Sequence, residues 1–149
     1  MNIALSSDEK CKVVDFTARY LEDKGYALRR YGAVSKKQVD WVDSSIELAE
    51  AVASGKCSQG VLFCWTGTGS SIAANKVPGI RAALCVDPEE AKGAKRWNHA
   101  NVLVMSARLT SEHKARKILD AWFSGPKGSS AYDKRNMKKL SGIEKKHMR

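Results

Sequence analysis

Short apolar runs alternate with segments whose apolar residues recur at helical spacing. Asn2–Ser6 reads as a first strand, with Asp8 just past its end. From Lys10 to Lys24 the period turns helical, placing Val13, Val14, Thr17, Ala18 and Leu21 on one face, and Gly25 marks a stop. Tyr26–Tyr31 is a weaker second strand. Asp43 or Ser44 then suits the cap of a helix that turns Ile46, Ala49, Val52 and Ala53 inward. Gly60–Trp65 is almost wholly apolar, as expected of a strand buried on both faces of a parallel sheet. A Gly/Ser/Thr turn follows over Thr66–Ser71, a short helix begins over Ile72–Lys76, and Pro78–Gly79 breaks it. Ile80–Val86 and Asn101–Ser106 read as the fourth and fifth strands. Between them a helix starts at Asp87–Pro88, with proline near its first position. Ser111 and Glu112 open a helix to about Phe123 with Ala115, Ile118, Leu119 and Trp122 inward. Gly125–Ser130 is a loop, and Asp133–Lys146 a polar terminal helix.

Strand–helix alternation over the whole length predicts one domain spanning residues 1–149. Its fold class is α/β: a Rossmann-like three-layer α/β/α sandwich around a five-stranded parallel sheet. Ligands of such sheets bind at the carboxyl ends of the strands. Asp8, residues 64–71, the loop after Val86 and the loop around Arg108 all fall there by chain order.

Charge adds a second theme. The net charge is +10, much of it in the tail at Lys127, Lys134, Arg135, Lys138, Lys139, Lys145, Lys146 and Arg149. A solvated helix, a phosphate-sized ligand or an acidic partner face each suits such a tail. With one aromatic, Tyr132, and no nucleic-acid motif, nucleic acid is not expected as a partner. No apolar run of membrane-spanning length occurs, so neither a membrane nor a signal peptide is expected. The four cysteines form no CxxC pair. Cys57 and Cys64, at the two ends of a strand, stand roughly 23 Å apart by extended-chain rise, too far to share a metal or a bridge. Reduced thiols in a cytoplasmic protein fit best.

The chemistry concentrates where the third strand meets its turn. Gly67 and Gly69 let the backbone approach a ligand. The N–H groups of residues 67–72, at the positive end of a helix, can hold a phosphate or a developing oxyanion. The turn lacks the lysine of a phosphate-binding P-loop and the dinucleotide glycine spacing. Cys64 ends the strand beside that turn. Alone it reads as a small buried hydrophobe; at a helix N-terminus it reads as a reactive thiol. Cys85 and Cys11 read as core.

Residues 63–85, FCWTGTGSSIAANKVPGIRAALC, resemble the signature CGTGxGxSIAANKxxGIRAAxC of the ribose-5-phosphate isomerase B / galactose-6-phosphate isomerase family. Asn98, Asn101–Leu103 and Arg108 resemble that family's HNxxNVL…GxR segment, and Ser7–Asp8 its opening SDH. The resemblance implies proton transfer between C1 and C2 of an aldose or ketose phosphate through an enediolate. It implies Cys64 as base and Thr66 as an aid to ring opening or carbonyl polarisation. Amides of Gly67, Thr68, Gly69, Ser70 and Ser71 would face the enediolate oxygens. Asp8 would bind sugar hydroxyls, Asn98 would line the site, and Arg108 and Arg135 would meet the phosphate. It further implies no metal or organic cofactor, and a homodimer or homotetramer whose sites are shared between chains, with the C-terminal helix extending to a partner subunit.

The departures from the family pattern are specific. Glu9 stands for a histidine, Trp65 for a glycine and Trp97 for a histidine, while a histidine occurs two places later at His99. A further tail arginine of the family falls near Ala131. Two tryptophans at the sugar site would narrow it or offer stacking surface, Glu9 would repel a phosphate, and His99 is a candidate replacement for a lost histidine. An atypical branch follows, with the sugar open. Two other readings compete: a non-catalytic sugar-phosphate or nucleotide binder that kept the fold, and a different carbon-acid reaction such as epimerisation. Retention of Cys64 with Thr66 favours catalysis.

Overall fold

The computed structural model describes residues 1–148; Arg149 of the basic tail lies outside them. Five strands, β1 (Asn2–Ser7), β2 (Ala27–Gly32), β3 (Gln59–Cys64), β4 (Ala82–Leu84) and β5 (Val102–Ser106), form one all-parallel sheet in the order β2-β1-β3-β5-β4. The helices are α1 (Lys12–Asp23), α2 (Trp41–Ala53), α3 (Thr68–Ala74), α4 (Pro88–Asn98), α5 (Glu112–Ser124) and α6 (Ala131–His147). This is the three-layer arrangement the alternation predicts.

Side chains of successive strand residues point to opposite faces, and both faces are dry. Ile3, Leu5, Val61, Phe63, Leu103 and Met105 join Val14, Leu21, Ile118, Leu119 and Trp122 under α1, α4 and α5. Ala4, Leu62, Val102 and Val104 join Leu48, Ala49, Val52 and Ala74 under α2 and α3. Gly60 is fixed by that second layer, because a Cβ there would stand 2.6 Å from Leu48 Cδ2.

Three boundaries differ from expectation. α2 begins at Trp41 with Asp40 as its N-cap, ahead of Asp43 and Ser44. α3 begins at Thr68, inside the turn expected to precede it, because Gly67 takes a left-handed cap conformation at φ 82°. β4 is three residues long rather than seven. Its neighbouring backbone is taken by side-chain amides: Asn75 bonds both the N–H and the carbonyl of Ala82, and Asn101 accepts from the Arg81 N–H at 2.8 Å.

The terminal helix α6 lies against α4 of its own chain. Glu144 accepts from the Gly79 N–H at 2.8 Å, and Met137 and Leu140 face a groove beside Ile80 and Ala82. Leu140 and Ile143 stay 44% and 58% exposed, so α6 retains an apolar edge that its own chain leaves uncovered.

Candidate active site

β1 and β3 are neighbours although the chain visits β2 between them, so the crevice at their carboxyl ends lies where the strand order reverses. A cavity of about 210 Å³ opens there, lined by Asp8, Trp41, Cys64, Trp65, Thr66, Thr68 and Gly69.

Cys64 is the last residue of β3 and is 5% exposed. Its Sγ accepts a hydrogen bond from the Gly67 N–H at 3.1 Å, so the sulfur sits in the mouth of the turn that opens α3. Gly67 cannot carry a side chain. Besides its positive φ, a Cβ would stand 2.5 Å from Leu84 Cδ1 and 3.3 Å from the Met105 carbonyl carbon. The Thr66 and Thr68 hydroxyls are 2.8 Å apart, and Thr66 Oγ1 also accepts from the Thr68 N–H at 3.4 Å. The N–H groups of Gly69 and Ser70 lie in the first turn of α3, where a helix supplies them no backbone partner. The end of β5 braces the segment from behind: the Ala107 N–H donates to the Cys64 carbonyl at 2.9 Å. The Arg108 N–H and Ser106 Oγ donate to the Trp65 carbonyl at 3.0 and 2.9 Å.

Asp8 faces the same cavity from the end of β1. Burial pushes its carboxyl above the ordinary carboxylate range, and the Glu9 charge adds to this, against backbone N–H bonds from Asp8 and Glu9 that pull it down. Glu9 itself turns aside: its carboxylate accepts from Gln38 Nε2 at 3.2 Å, and it does not line the cavity.

Several expected site residues have other duties. Ser70 is fully buried, its hydroxyl 3.0 Å from that of Ser45, so it ties α3 to α2 and offers no side chain to a ligand. The Ser71 N–H is spent on the Gly67 carbonyl. Arg108 is exposed and touches the site through its backbone. Trp97, Asn98 and His99 end α4, which runs back from the carboxyl ends of the strands. Within one chain they therefore sit at the opposite end of the strands from Cys64. Trp97 packs over Gly93, where a Cβ would stand 2.7 Å from its ring. His99 caps α4 in a left-handed conformation, accepts from Arg81 Nε at its carbonyl and pairs its Nε2 with the Gly128 carbonyl at 2.8 Å. That is a structural role, not the free imidazole a replacement acid or base would need. Arg135 is exposed on α6, its guanidinium 5.4 Å above the Tyr132 ring.

One site residue escaped the sequence reading. The second tryptophan at the cavity is Trp41, not Trp97. It lies over Gly69, whose Cβ would stand 3.0 Å from the indole Cε3. The only sequence signal was its position at a helix start, and that start was expected later. Among the described residues no three His, Cys, Asp or Glu side chains stand together as a metal site would need.

Relatives share this architecture. Ribose-5-phosphate isomerase B of Escherichia coli strain K12 is 33% identical over 127 residues, covering 85% of each chain. D-erythrulose-4-phosphate isomerase of Pectobacterium atrosepticum is 36% identical over 124 residues, covering 82% of each. Among solved structures, ribose-5-phosphate isomerase B of Clostridium thermocellum superposes with a TM-score of 0.91 at 36% identity, over 99% of both chains. The family described as Ribose/Galactose Isomerase matches residues 3–140. With that match across nearly the whole chain, the protein belongs to the ribose/galactose isomerase family.

Proposed function

We propose that this protein interconverts an aldose phosphate and a ketose phosphate, with Cys64 as the base that moves the proton. The observation that carries the reading is the placement of one thiol between a buried strand and a glycine turn, in a cavity shared with Asp8 and Thr66. Family membership supports the reaction class.

The chemistry asks for few groups. A base takes the proton from the carbon beside the carbonyl, and the electron pair left behind moves onto the carbonyl oxygen as an enediolate. A proton passes between the two oxygens, and the base returns its own to the former carbonyl carbon. The Cys64 sulfur supplies the base. The Thr66 and Thr68 hydroxyls and the amides of Gly69 and Ser70 supply donors for the oxygens. Asp8 holds a sugar hydroxyl. Arg108 and Arg135 are the candidate phosphate ligands; Arg135 and Asn98 would arrive from a neighbouring chain in a homodimer or homotetramer, because their own chain keeps them away from Cys64. No metal or organic cofactor takes part in this scheme. Among the described residues no helix is long and apolar enough to cross a membrane, and the four cysteines are unbridged; both fit work in the cytoplasm.

Incubation with a panel of aldose and ketose phosphates in D2O tests the reading. Isomerisation with deuterium entering at the carbon that gains the proton is the expected result. A chain that binds these compounds yet exchanges no carbon-bound hydrogen would overturn it in favour of a pure binder.

A further inference from the structure

We propose that Ser106 is a positioning residue for Cys64: its hydroxyl clamps the turn behind the base onto the loop that carries Arg108. The inference rests on the isomerase reading and adds to it the group that holds the base in place.

β5 is apolar over Val102, Leu103, Val104 and Met105 and then ends in a serine that is 3% exposed. Packing does not call for a hydroxyl there, and a buried hydroxyl must find partners. Ser106 has two. Its Oγ accepts from the Leu109 N–H at 3.2 Å and donates to the Trp65 carbonyl at 2.9 Å. An N–H only donates and a carbonyl only accepts, so the direction of both bonds is settled. In the GxR pattern that Arg108 matches, the glycine's place falls on Ser106, so the pattern carries no hydroxyl at this point.

The clamp sits beside the base. Cys64 and Ser106 are register partners across β3 and β5, so their side chains share one face of the sheet. The carbonyl that Ser106 grips belongs to the peptide joining Trp65 to Thr66. Cys64 stands just before that peptide, and Gly67, whose N–H meets the Cys64 sulfur at 3.1 Å, stands just after it. The other ties on this turn come from the same loop: the Ala107 N–H holds the Cys64 carbonyl at 2.9 Å, and the Arg108 N–H holds the Trp65 carbonyl at 3.0 Å. Ser106 fixes that loop too, through the Leu109 N–H at its hydroxyl and the Thr110 N–H at its carbonyl. Loss of the hydroxyl therefore loosens both the turn and its brace. A base works only when it lies about 3–3.5 Å from the atom it attacks, so a small drift of this turn acts on the chemistry before it acts on the fold.

Ser106→Ala, Ser106→Cys and Ser106→Thr provide the test, assayed on whichever aldose or ketose phosphate the native chain turns over fastest. Alanine removes the hydroxyl, cysteine keeps its size with a weak donor, and threonine keeps the hydroxyl. Ser106→Ala and Ser106→Cys should lower kcat by at least about tenfold, part of the ~100-fold that an ångström of misplacement can cost. KM should change less, because the long Arg108 side chain tolerates a small shift of its backbone. The Trp65 carbonyl keeps the Arg108 N–H, so the melting temperature should fall by only about 2–4 °C, the shift of one hydrogen bond in a chain of this size. Ser106→Thr should restore most of kcat. Native kcat in Ser106→Ala or Ser106→Cys, at any melting temperature, or an equal loss in Ser106→Thr, would overturn the clamp. Amide hydrogen exchange followed by NMR gives a second reading that needs no turnover. In Ser106→Ala the Gly67 N–H should exchange several-fold faster, while the Leu5 N–H in β1 keeps its native rate. A native rate at Gly67 would also overturn the clamp. Faster exchange at Gly67 in a chain inactive on every sugar phosphate would support the clamp and reject the isomerase reading alone.

Discussion

Cys64 and Asp8 are the residues whose roles separate most cleanly by measurement. If Cys64 carries the proton, Cys64→Ala should lower kcat by at least about 100-fold, the scale of general-base catalysis, with the denaturation midpoint held. Unchanged turnover would remove the sulfur from the mechanism. Cys85 makes the contrast: it is 2% exposed, burial pushes its thiol up to about 12, and it lies in the apolar layer beneath α4. Cys85→Ala should therefore cost stability and spare chemistry. Asp8 joins function to stability. Burial raises its carboxyl pKa in the folded chain, so the unfolded chain ionises first as pH rises. Below the ordinary value of 3.8 neither state is charged and there is no penalty; above it, folding must accommodate a charge that burial disfavours. Asp8→Asn should be more stable than the native chain at pH 7, with the gap closing as pH falls through the carboxylate range, while its activity drops. Urea midpoints at pH 7 and pH 3.5 check the sign. A half-buried carboxyl that costs its own fold stability is the trade-off expected if Asp8 binds the sugar as proposed.

At the scale of elements, the parts that sequence revealed are those with one dominant cause. β3 and β5 are apolar on both faces because helices cover both, and runs such as GVLFC and VLVM have no other home. α1 and α5 declare themselves by a single buried stripe. What escaped depends on contacts between elements. β4 looked like a seven-residue strand because Ile80–Val86 is apolar, but the Asn75 and Asn101 amides take up its backbone on one side, and no residue-by-residue pattern records such a bond. α3 starts inside a glycine- and threonine-rich stretch of low helix propensity because Ser70, Ala73 and Ala74 bury against their neighbours. Trp41 enters the site only because α2 begins early enough to bring it over Gly69. One element-level feature was invisible altogether. Lys95 on α4 is 6% exposed, with Nζ 2.7 Å from Gln59 Oε1 and 4.9 Å from the Trp122 ring centroid, and among the described residues no carboxylate is within salt-bridge reach. Burial pushes its ammonium down to about 8, with the Lys127 charge adding. The sign follows from proton binding: between about 8 and the ordinary 10.5 the unfolded chain holds a proton that the folded one has released, so stability rises with pH. Lys95→Met should gain most on the native chain below pH 8, and its advantage should shrink toward pH 10.5. An advantage that does not change between those two pH values would mean that Lys95 is charged and content in the fold.

For the whole molecule, the open question is how a chain with its thiol at the carboxyl end of the central strand and its Asn98 and Arg135 elsewhere can hold a phosphorylated sugar. The neighbouring copy proposed above would resolve this. The surface around β4 has the character of an interface: Trp97 is 59% exposed, Leu140 44% and Ile143 58%, and a groove of about 440 Å³ runs between α6 and the sheet edge past Ile80, Ala82, Met137 and Leu140. Exposed apolar residues gathered at a sheet edge are what such a copy would cover. Arg135 fits the same picture. Its guanidinium lies 5.4 Å from the Tyr132 ring centroid, and among the described residues no ion pair ties it to a carboxylate. The proposed shared site would bring it to a phosphate bound beside another chain's Cys64. Two inactive variants test this directly. Cys64→Ala lacks the base and Arg135→Ala lacks the phosphate ligand, so each alone should lose most turnover. Mixed and allowed to exchange subunits, they form hybrid dimers in which one site takes Cys64 from the second variant and Arg135 from the first, and is complete. With random exchange, half the dimers are hybrids with one good site each, so activity should recover to about a quarter of native. A site confined to one chain predicts no recovery at any mixing ratio, and a monomeric mass at assay concentration, with full activity after removal of residues 131–149, would refute the shared site outright.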